Sequence, residues 1–361
     1  MSDLKNRRCW LTVDSSALKH NLAQVRNTVP KSNVMAVIKA NGYGHGMEVV
    51  AEALEGADEF AVSDINDLLR LHVAGFSKPL TLLSPIFSAD DAKSFSEQNV
   101  RPVIYDWAQL QILEQLDSSA QLHLWLKVDT GMGRLGFLLD EYQVALTRLL
   151  DNPAIASISV MTHLANADDK NHSGTQDQLE LFSKVRAAHD WQQISVLNSA
   201  GIINFNQSAF DTVRPGIMLY GISPIDNRSA HQVDLKPVMT LSSHLLSIKR
   251  MSTGSTIGYG NTYTLDRDTR IGVVACGYGD GYPRHAPTGT PVLVNGLLVP
   301  LIGRVSMDMI CVDLGELPAN VGDEVTLWGA DNPIEDVAQS AATIAYELIC
   351  NVSERVQRIV I

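Results

Sequence analysis

The feature that most constrains the fold is a series of eight short apolar segments that alternate with helix-like stretches between about residues 11 and 230. Each segment is bounded by polar or turn-forming residues and is mostly apolar at consecutive positions. That pattern is typical of a strand buried on both faces of a parallel sheet. The segments are 34–38, 60–63, 80–83, 101–105, 122–128, 155–163, 194–198 and 212–219.

The stretches between these segments carry helix start signals. Asp64, Ser88 and Asp106 each precede apolar residues at helical spacing, and such side chains commonly cap a helix N-terminus. Eight strands that alternate with helices predict an α/β fold, a closed (β/α)8 TIM-type barrel. An open, doubly wound sheet is the alternative that this pattern leaves open.

The pattern changes after about residue 237, where apolar segments recur without helices between them. Asn295 and Gly296 separate two of the segments, which is a strong signal for a two-residue hairpin. We therefore predict a barrel over residues 11–232 and a mostly-β C-terminal domain over 233–361, with residues 1–10 pairing with the latter. One late helix is predicted after Pro333. The segments are 241–248, 271–276, 292–294, 297–302, 305–314 and 325–328.

Composition narrows the class of protein. The formal net charge of −12 argues against nucleic-acid binding, which usually needs a basic surface. The first ten residues lack the apolar core of a targeting segment, and no apolar run is long enough to span a bilayer. The four cysteines are scattered, which favours reduced thiols over disulfides or a zinc site. We expect a cytoplasmic protein with no metal and no membrane partner.

Polar residues lie in or directly after the C-terminal part of several predicted barrel strands, and the last strand carries one as well. They include Lys39, Lys127, His163, Ser199 and Arg214. Because functional groups of a closed barrel gather at the C-terminal ends of its strands, we expect these side chains to meet at one mouth. Lys39 is the sharpest candidate, since burial lowers the pKa of an amine and favours the neutral, nucleophilic form. The alternative is a lysine that simply reaches solvent.

A second group of residues is suited to a phosphate. Gly216 and Ile217 lie in the last predicted strand segment, 212–219, and Ser199 follows the segment before it. The last two loops of a barrel often hold phosphate through backbone amides and a hydroxyl. Tyr43 lies among glycines just after Lys39 and offers another hydroxyl, although glycines alone are also ordinary turn residues.

Six segments closely resemble the signatures of the alanine racemase family, and they lie in the family's order along almost the whole chain. The resemblance implies a barrel that binds pyridoxal 5'-phosphate and a C-terminal β-domain. It also implies a head-to-tail homodimer with shared active sites and alanine as the substrate. One departure is Gly42, where many members have alanine. The segments are 36–46, 127–136, 213–217, 258–260, 277–282 and 303–308.

The resemblance assigns two catalytic residues. Lys39 is similar to the lysine that carries the cofactor and acts as one acid/base group. Tyr259 is similar to the second acid/base group, supplied by the partner subunit. Racemisation needs one group on each face of the substrate, because a proton leaves one face and returns to the other. In the family the lysine acts on the D-isomer and the tyrosine on the L-isomer.

The resemblance also assigns residues around the cofactor. Arg214 is similar to an arginine that faces the ring nitrogen. Because a guanidinium can only donate, it should leave that nitrogen unprotonated and weaken the electron sink. His163 and Arg214 are expected to form a chain of polar contacts toward Tyr259. The phosphate binders by similarity are Tyr43, Ser199, Gly216, Ile217 and Tyr346.

The remaining assignments concern the substrate. Arg134 resembles the residue that orients the substrate carboxylate. Lys127 resembles a lysine that is often carbamylated and then holds the arginine, but pairing with the nearby aspartate is equally open. Met307 resembles the partner-subunit residue whose backbone faces the substrate carboxylate. Tyr278 and Asp308 resemble residues that line the substrate entrance.

Two other functions remain as alternatives. A barrel-type pyridoxal phosphate decarboxylase of basic amino acids shares the two-domain plan, but such enzymes usually hold the ring nitrogen with a carboxylate. A non-catalytic pyridoxal phosphate carrier resembles only the first half and leaves Tyr259 and Met307 unexplained. The sequence leaves open whether a racemase would serve peptidoglycan synthesis or alanine breakdown, and whether serine is a poor substrate.

Overall fold

The computed structural model describes residues 8–226 and 228–361. Its first strand, β1 (Cys9–Val13), precedes a closed barrel of eight parallel strands, which confirms the predicted barrel over the open sheet. The barrel closes where its last strand pairs with its first, through Asn33 opposite Thr212. The barrel strands are β2 (Asn33–Val37), β3 (Glu59–Val62), β4 (Leu80–Leu82), β5 (Val100–Ile104), β6 (Leu122–Lys127), β7 (Ile155–Met161), β8 (Ile194–Asn198) and β9 (Thr212–Arg214).

Helices alternate with these strands, and three of them begin at the predicted caps. The side chains of Asp64, Ser88 and Asp106 each accept a hydrogen bond from a backbone N–H in the first turn of the helix that follows. The helices are α1 (Ser15–Thr28), α2 (Lys39–Tyr43), α3 (Met47–Ala53), α4 (Ile65–Val73), α5 (Ala89–Glu97), α6 (Trp107–Leu113), α7 (Tyr142–Leu150), α8 (Ser173–Ala187) and α9 (Ser199–Asn204).

The C-terminal part is mostly β, as predicted. Its main sheet has eight strands in the order β13-β16-β15-β14-β17-β10-β1-β18. Strand β1 therefore belongs to this sheet, antiparallel to β10 and parallel to β18; residues 1–7 of the predicted N-terminal pairing lie outside the described residues. The strands are β10 (Met239–Met251), β11 (Thr256–Ile257), β12 (Tyr263–Thr264), β13 (Thr269–Val274), β14 (Pro291–Val294), β15 (Leu297–Ile302), β16 (Ile310–Gly315), β17 (Glu324–Trp328) and β18 (Gln357–Val360).

The late helix and strand β16 differ from the sequence prediction. The single late helix is two short ones, α10 (Ile334–Ser340) and α11 (Ala345–Cys350), separated by Ala342 at a φ of +53°. Strand β16 begins at Ile310, five residues later than predicted, because the preceding residues form a loop closed by a hydrogen bond from Ser306 N–H to the Met309 carbonyl.

One continuous apolar core extends from the barrel into the C-terminal sheet. It includes Met35 inside the barrel region and Trp328 on β17, both fully buried. This shared core fixes the C-terminal domain against the barrel and brings α11 to the barrel mouth. Among residues 8–226 and 228–361, no helix is both long and apolar enough to cross a membrane.

Candidate active site

A cavity of about 610 Å³ opens at the C-terminal ends of the barrel strands. Its size and position are those of a small-molecule site in a barrel enzyme. The cavity brings together ten residues that the sequence analysis selected, from both the strand-end and the phosphate groups. These are Lys39, Tyr43, Lys127, Arg134, His163, Ser199, Arg214, Gly216, Ile217 and Tyr346.

Lys39 is the first residue of α2, with one residue between it and the end of β2, and it lies in the cavity. Burial lowers the pKa of its amine, and the positive charge of Arg134 lowers it further. Both effects raise the fraction of neutral amine at neutral pH, which is the form that attacks a carbonyl carbon.

The segment after Lys39 is a left-handed turn. Ala40, Asn41, Gly42 and Tyr43 all have positive φ, at 52°, 55°, 62° and 50°. Left-handed backbone costs an L-residue roughly 1–2 kcal/mol, so neighbouring contacts must hold the turn in place. One such contact is His45, which is fully buried and whose Nδ1 lies 2.9 Å from the Tyr43 carbonyl oxygen.

Gly42, the position that departs from many family members, fits closely against α3. A Cβ built there would lie 2.9 Å from Val50 Cγ2. We expect Gly42→Ala to lower the free energy of unfolding by about 1–3 kcal/mol, from positive φ and overpacking together. Thermal unfolding of the holoenzyme measures this loss.

Val50→Ala provides the matched test of that prediction. Val50→Ala lowers stability by itself, but it removes the methyl groups that would crowd an alanine at position 42. The loss of unfolding free energy in Gly42→Ala/Val50→Ala should therefore be smaller than the sum of the two single losses by about 1 kcal/mol. Strictly additive losses would show that the two positions do not compete for the same space.

Three of the predicted phosphate binders, Tyr43, Ser199 and Gly216, lie next to one another in the cavity. The hydroxyl of Ser199 accepts hydrogen bonds from the Gly216 N–H at 2.9 Å and the Met218 N–H at 3.4 Å. A Cβ at Gly216 would lie 2.6 Å from the Tyr43 hydroxyl, so only glycine allows this approach. Burial raises the pKa of Tyr43, which therefore stays a neutral donor. Hydroxyls and backbone amides are the donors that a phosphate accepts.

Aromatic stacking holds the ring of Tyr43 in place. Its ring stacks on Tyr220 with centroids 4.6 Å apart, and Tyr220 in turn packs against His45 at 4.7 Å. The Tyr220 hydroxyl donates to the Val37 carbonyl at 3.1 Å, at the end of the strand that precedes Lys39. The stack therefore connects the predicted phosphate site to the lysine turn.

Arg214 is buried and held by three acceptors. Its Nη1 donates to the Ser195 hydroxyl at 2.5 Å, and its Nη2 donates to the carbonyls of Thr162 at 2.5 Å and Val196 at 3.2 Å. Burial lowers its pKa to about 10, so the guanidinium is still charged at neutral pH. It can donate hydrogen bonds but cannot accept a proton there.

His163 lies beside this charge. Burial lowers its pKa well below the usual value, and the cations Arg214 and Lys127 lower it further. The imidazole is therefore neutral at neutral pH. Among the described residues, no hydrogen bond joins the side chains of His163 and Arg214, and the polar chain toward Tyr259 stays a prediction.

Asp129 shapes the loop that carries Arg134. Its carboxylate accepts hydrogen bonds from the backbone N–H groups of Gly131, Met132 and Arg134 at 2.9, 2.8 and 3.1 Å. Burial opposes the charge, but these backbone hydrogen bonds leave the pKa of Asp129 below its usual value. Within residues 8–226 and 228–361, the carboxylate makes no direct ion pair with Lys127, although its negative charge raises the pKa of that amine.

Two residues expected from a partner subunit, Tyr259 and Met307, and two expected at the substrate entrance, Tyr278 and Asp308, lie outside this cavity. Tyr259 is 68% exposed in a turn between Gly258 and Gly260. Met307, Tyr278 and Asp308 also lie at the surface of the C-terminal domain. One chain therefore presents the lysine site and these four side chains in separate places.

Several residues that line the cavity were not predicted from the sequence, including Ser63, Tyr105 and Cys350. Ser63 and Tyr105 each follow a barrel strand at its C-terminal end, so the rule that selected Lys39 would have found them. Cys350 ends α11 in the other domain, and no sequence signal indicates that it reaches the barrel mouth.

Comparison with known proteins covers both parts of the chain. The model of the alanine racemase N-terminal domain matches residues 13–224, and that of the C-terminal domain matches residues 238–360. The alanine racemase of Vibrio vulnificus (strain CMCP6) is 45% identical over 347 residues, which are 96% of this chain and 97% of the relative. That of Aeromonas hydrophila is 45% identical over 346 residues, covering 95% and 97%.

Solved structures agree with this assignment. The biosynthetic alanine racemase of Pseudomonas aeruginosa superposes with a TM-score of 0.95 at 41% identity, covering 98% of this chain and 99% of that one. An alanine racemase of Bartonella henselae with covalently bound pyridoxal phosphate gives 0.87 at 30% identity, covering 98% and 100%. Over both its domains, then, this chain belongs to the alanine racemase family.

Proposed function

We propose that the protein interconverts L-alanine and D-alanine with pyridoxal 5'-phosphate bound at Lys39. The observation that carries this proposal is a half-buried lysine of lowered pKa in the same cavity as Tyr43, Ser199 and Gly216. Alanine racemases depend on this cofactor, and the Bartonella henselae relative is described with it covalently bound.

The residues present fit the cofactor. An amine nucleophile and a group of neutral phosphate donors lie in one cavity, and the space next to the Tyr43 hydroxyl admits glycine alone at position 216. Lys39 would hold the cofactor covalently, and Tyr43, Ser199, Gly216, Ile217 and Tyr346 would surround its phosphate. When bound, the cofactor withdraws electrons from the α-carbon of the substrate and so makes its proton acidic.

Two groups of this chain move the proton. The Lys39 amine accepts it from, or returns it to, one face of the α-carbon, and Tyr259 of the partner subunit serves the opposite face. Because Tyr259 lies outside the cavity of its own chain, the proposal requires a homodimer in which each C-terminal domain completes the other subunit's site. Met307, Tyr278 and Asp308 enter the site in the same way.

Arg134 is proposed to bind and orient the substrate carboxylate, and carbamylated Lys127 is proposed to hold Arg134 in place. Burial lowers the pKa of Lys127 to about 8, and the cations Arg214 and Arg134 contribute. The neutral amine adds to carbon dioxide, which forms a carbamate and releases a proton. The product is an anion that attracts Arg134, where the ammonium repels it.

Carbamylation of Lys127 should therefore depend on pH in a defined direction. The neutral fraction falls as the pH drops through about 8, so the carbamate should form readily at pH 8 and poorly at pH 6. With ¹³C-bicarbonate, we expect a carbamate carbon signal by NMR that Lys127→Ala abolishes. A spectrum without that signal at pH 8 would contradict the assignment.

Arg214 is proposed to restrain the chemistry at the cofactor ring. Replacement by a carboxylate in Arg214→Glu would favour a protonated ring nitrogen and a stronger electron sink. We expect pyruvate formation from alanine to rise relative to racemisation, by about ten-fold. Arg214→Lys keeps the positive charge and is the matched control. An unchanged ratio of pyruvate to D-alanine in Arg214→Glu would count against this role.

The full-length protein tests the proposed function directly. Incubation of L-alanine with the holoenzyme should produce D-alanine, measured by chiral chromatography, until the two isomers are equal. Release of carbon dioxide from a basic amino acid would instead indicate the decarboxylase. Bound cofactor without turnover of either substrate would indicate the carrier.

A further inference from the structure

We propose that Arg355, acting with Asp280 and Arg8, is a positioning residue that fixes the loop carrying Met307 for use in the partner subunit's active site. This inference rests on the proposed function, since it assigns a task to the surface that completes the neighbouring site. None of the three residues lines the cavity of its own chain.

Asp280 is the centre of the network. Its side chain is 2% exposed. The carboxylate accepts hydrogen bonds from Arg355 Nε at 2.8 Å, from Arg8 Nη2 at 2.5 Å and from the Gly277 N–H at 2.9 Å. A buried carboxylate is stable only when its charge is paired and its oxygens are hydrogen bonded. Both conditions are met here, so Asp280 is a fixed point to which the two arginines are attached.

Each arginine also reaches the neighbouring loop. Arg355 Nη2 lies 3.0 Å from the Asp308 carboxylate and 3.4 Å from the Met307 carbonyl. Arg8 Nη1 donates to the Asp308 carbonyl at 2.7 Å. The two guanidiniums therefore bridge Asp280 to consecutive peptide units of the loop that bears Met307.

The loop that carries Asp280 packs tightly against the loop that carries Met307. The N–H of Gly279 donates to the Met307 carbonyl at 2.8 Å. A Cβ at Gly277 would lie 2.3 Å from the Ser306 carbonyl oxygen, and one at Gly279 would lie 2.6 Å from Arg355 Nη2. Because the loops touch at backbone distance, a change in the Asp280 network must displace the Met307 peptide.

The surface that this network supports is exposed in the single chain. Met307 and Tyr278 are large side chains with about half their surface open to solvent, although the backbone beneath them is tightly bonded. A rigid backbone under exposed side chains suits contact with a partner, since little order has to be gained on binding. The orientation of the Met307 peptide then sets the fit of the substrate carboxylate.

This role predicts a specific kinetic effect. A contact to the substrate carboxylate is present both before and during proton transfer, so its loss raises KM while kcat changes little. Mirror-image substrates have equal free energy, and kcat/KM must therefore fall by the same factor in both directions. A residue that only stabilises the fold would not produce this division between KM and kcat.

The test uses Arg355→Ala in the full-length holoenzyme. We expect KM to rise about ten-fold for both isomers, with kcat within about three-fold and the cofactor still attached. Arg355→Lys keeps the positive charge, but an ammonium cannot contact the carboxylates of both Asp280 and Asp308. Its KM should therefore lie between those of the wild type and Arg355→Ala. Arg148→Ala is the control, since Arg148 pairs with Glu114 at 2.6 Å and is similarly exposed.

Hydrogen exchange supplies a readout that does not depend on turnover. The amides of residues 305–309 should exchange faster in Arg355→Ala than in the wild type and in Arg148→Ala. Unchanged exchange, or an unchanged KM in Arg355→Ala, overturns the positioning role. Absence of racemisation in the wild type would instead refute the proposed function, and the inference would fall with it.

Discussion

Replacing Tyr259 by phenylalanine should lower the rate of alanine racemisation by about 10³-fold, the effect of removing one acid/base group. The hydroxyl is the only part of the side chain that the substitution removes. Because Tyr259 is exposed and lies outside its own cavity, we expect the fold and the attached cofactor to be retained. Chiral chromatography measures the rate, and absorbance of the bound cofactor checks occupancy.

Isotope exchange should show which face has lost its catalyst. In D₂O, Lys39 still reaches one face of the α-carbon in Tyr259→Phe. D-alanine should therefore exchange its α-hydrogen without inversion, whereas exchange of L-alanine should be lost. Tyr263→Phe, in the strand that follows the same turn, is the matched control and should behave as the wild type. Equal loss of exchange for both isomers would contradict the assignment of the two groups to opposite faces.

Lys39→Ala should have an even larger effect, with a loss of racemisation of about 10⁴-fold or more, since it removes both the covalent attachment and one acid/base group. Mass spectrometry after borohydride reduction should find the cofactor on the wild-type chain and none on Lys39→Ala. The control is Lys31→Ala, because Lys31 is an exposed lysine just before the N-terminal end of β2, the strand that precedes Lys39. Cofactor found covalently attached to Lys39→Ala would show that another residue carries it.

The barrel was predictable because its strands are short, separate and apolar on both faces. The prediction erred where apolar burial is not due to a strand. The segment 212–219 stays apolar, but β9 ends at Arg214, before a proline, and the buried residues Ile217–Tyr220 form a 3₁₀ helix. Proline has no N–H for the ladder, so the break has a physical cause that the apolar pattern conceals.

The candidate site was predictable where strand ends converge, since topology brings Lys39, His163 and Arg214 to one mouth. Contacts between distant elements were not. The stacking of Tyr43 on Tyr220, and the reach of Cys350 into the cavity, depend on how loops and the second domain pack. The exposed position of Tyr259 outside the cavity of its own chain depends on how the second domain packs, which no local pattern encodes.

The central claim is that Lys39 and Tyr259 act on one substrate from different subunits. Mixing the inactive variants Lys39→Ala and Tyr259→Phe tests it most directly, after conditions that allow the subunits to exchange. If sites are shared, each mixed dimer has one intact site and one that lacks both groups. At equal amounts, activity should return to about one quarter of the wild-type value. If each chain uses its own tyrosine, no mixed dimer has an intact site, and the mixture would stay as inactive as its parents.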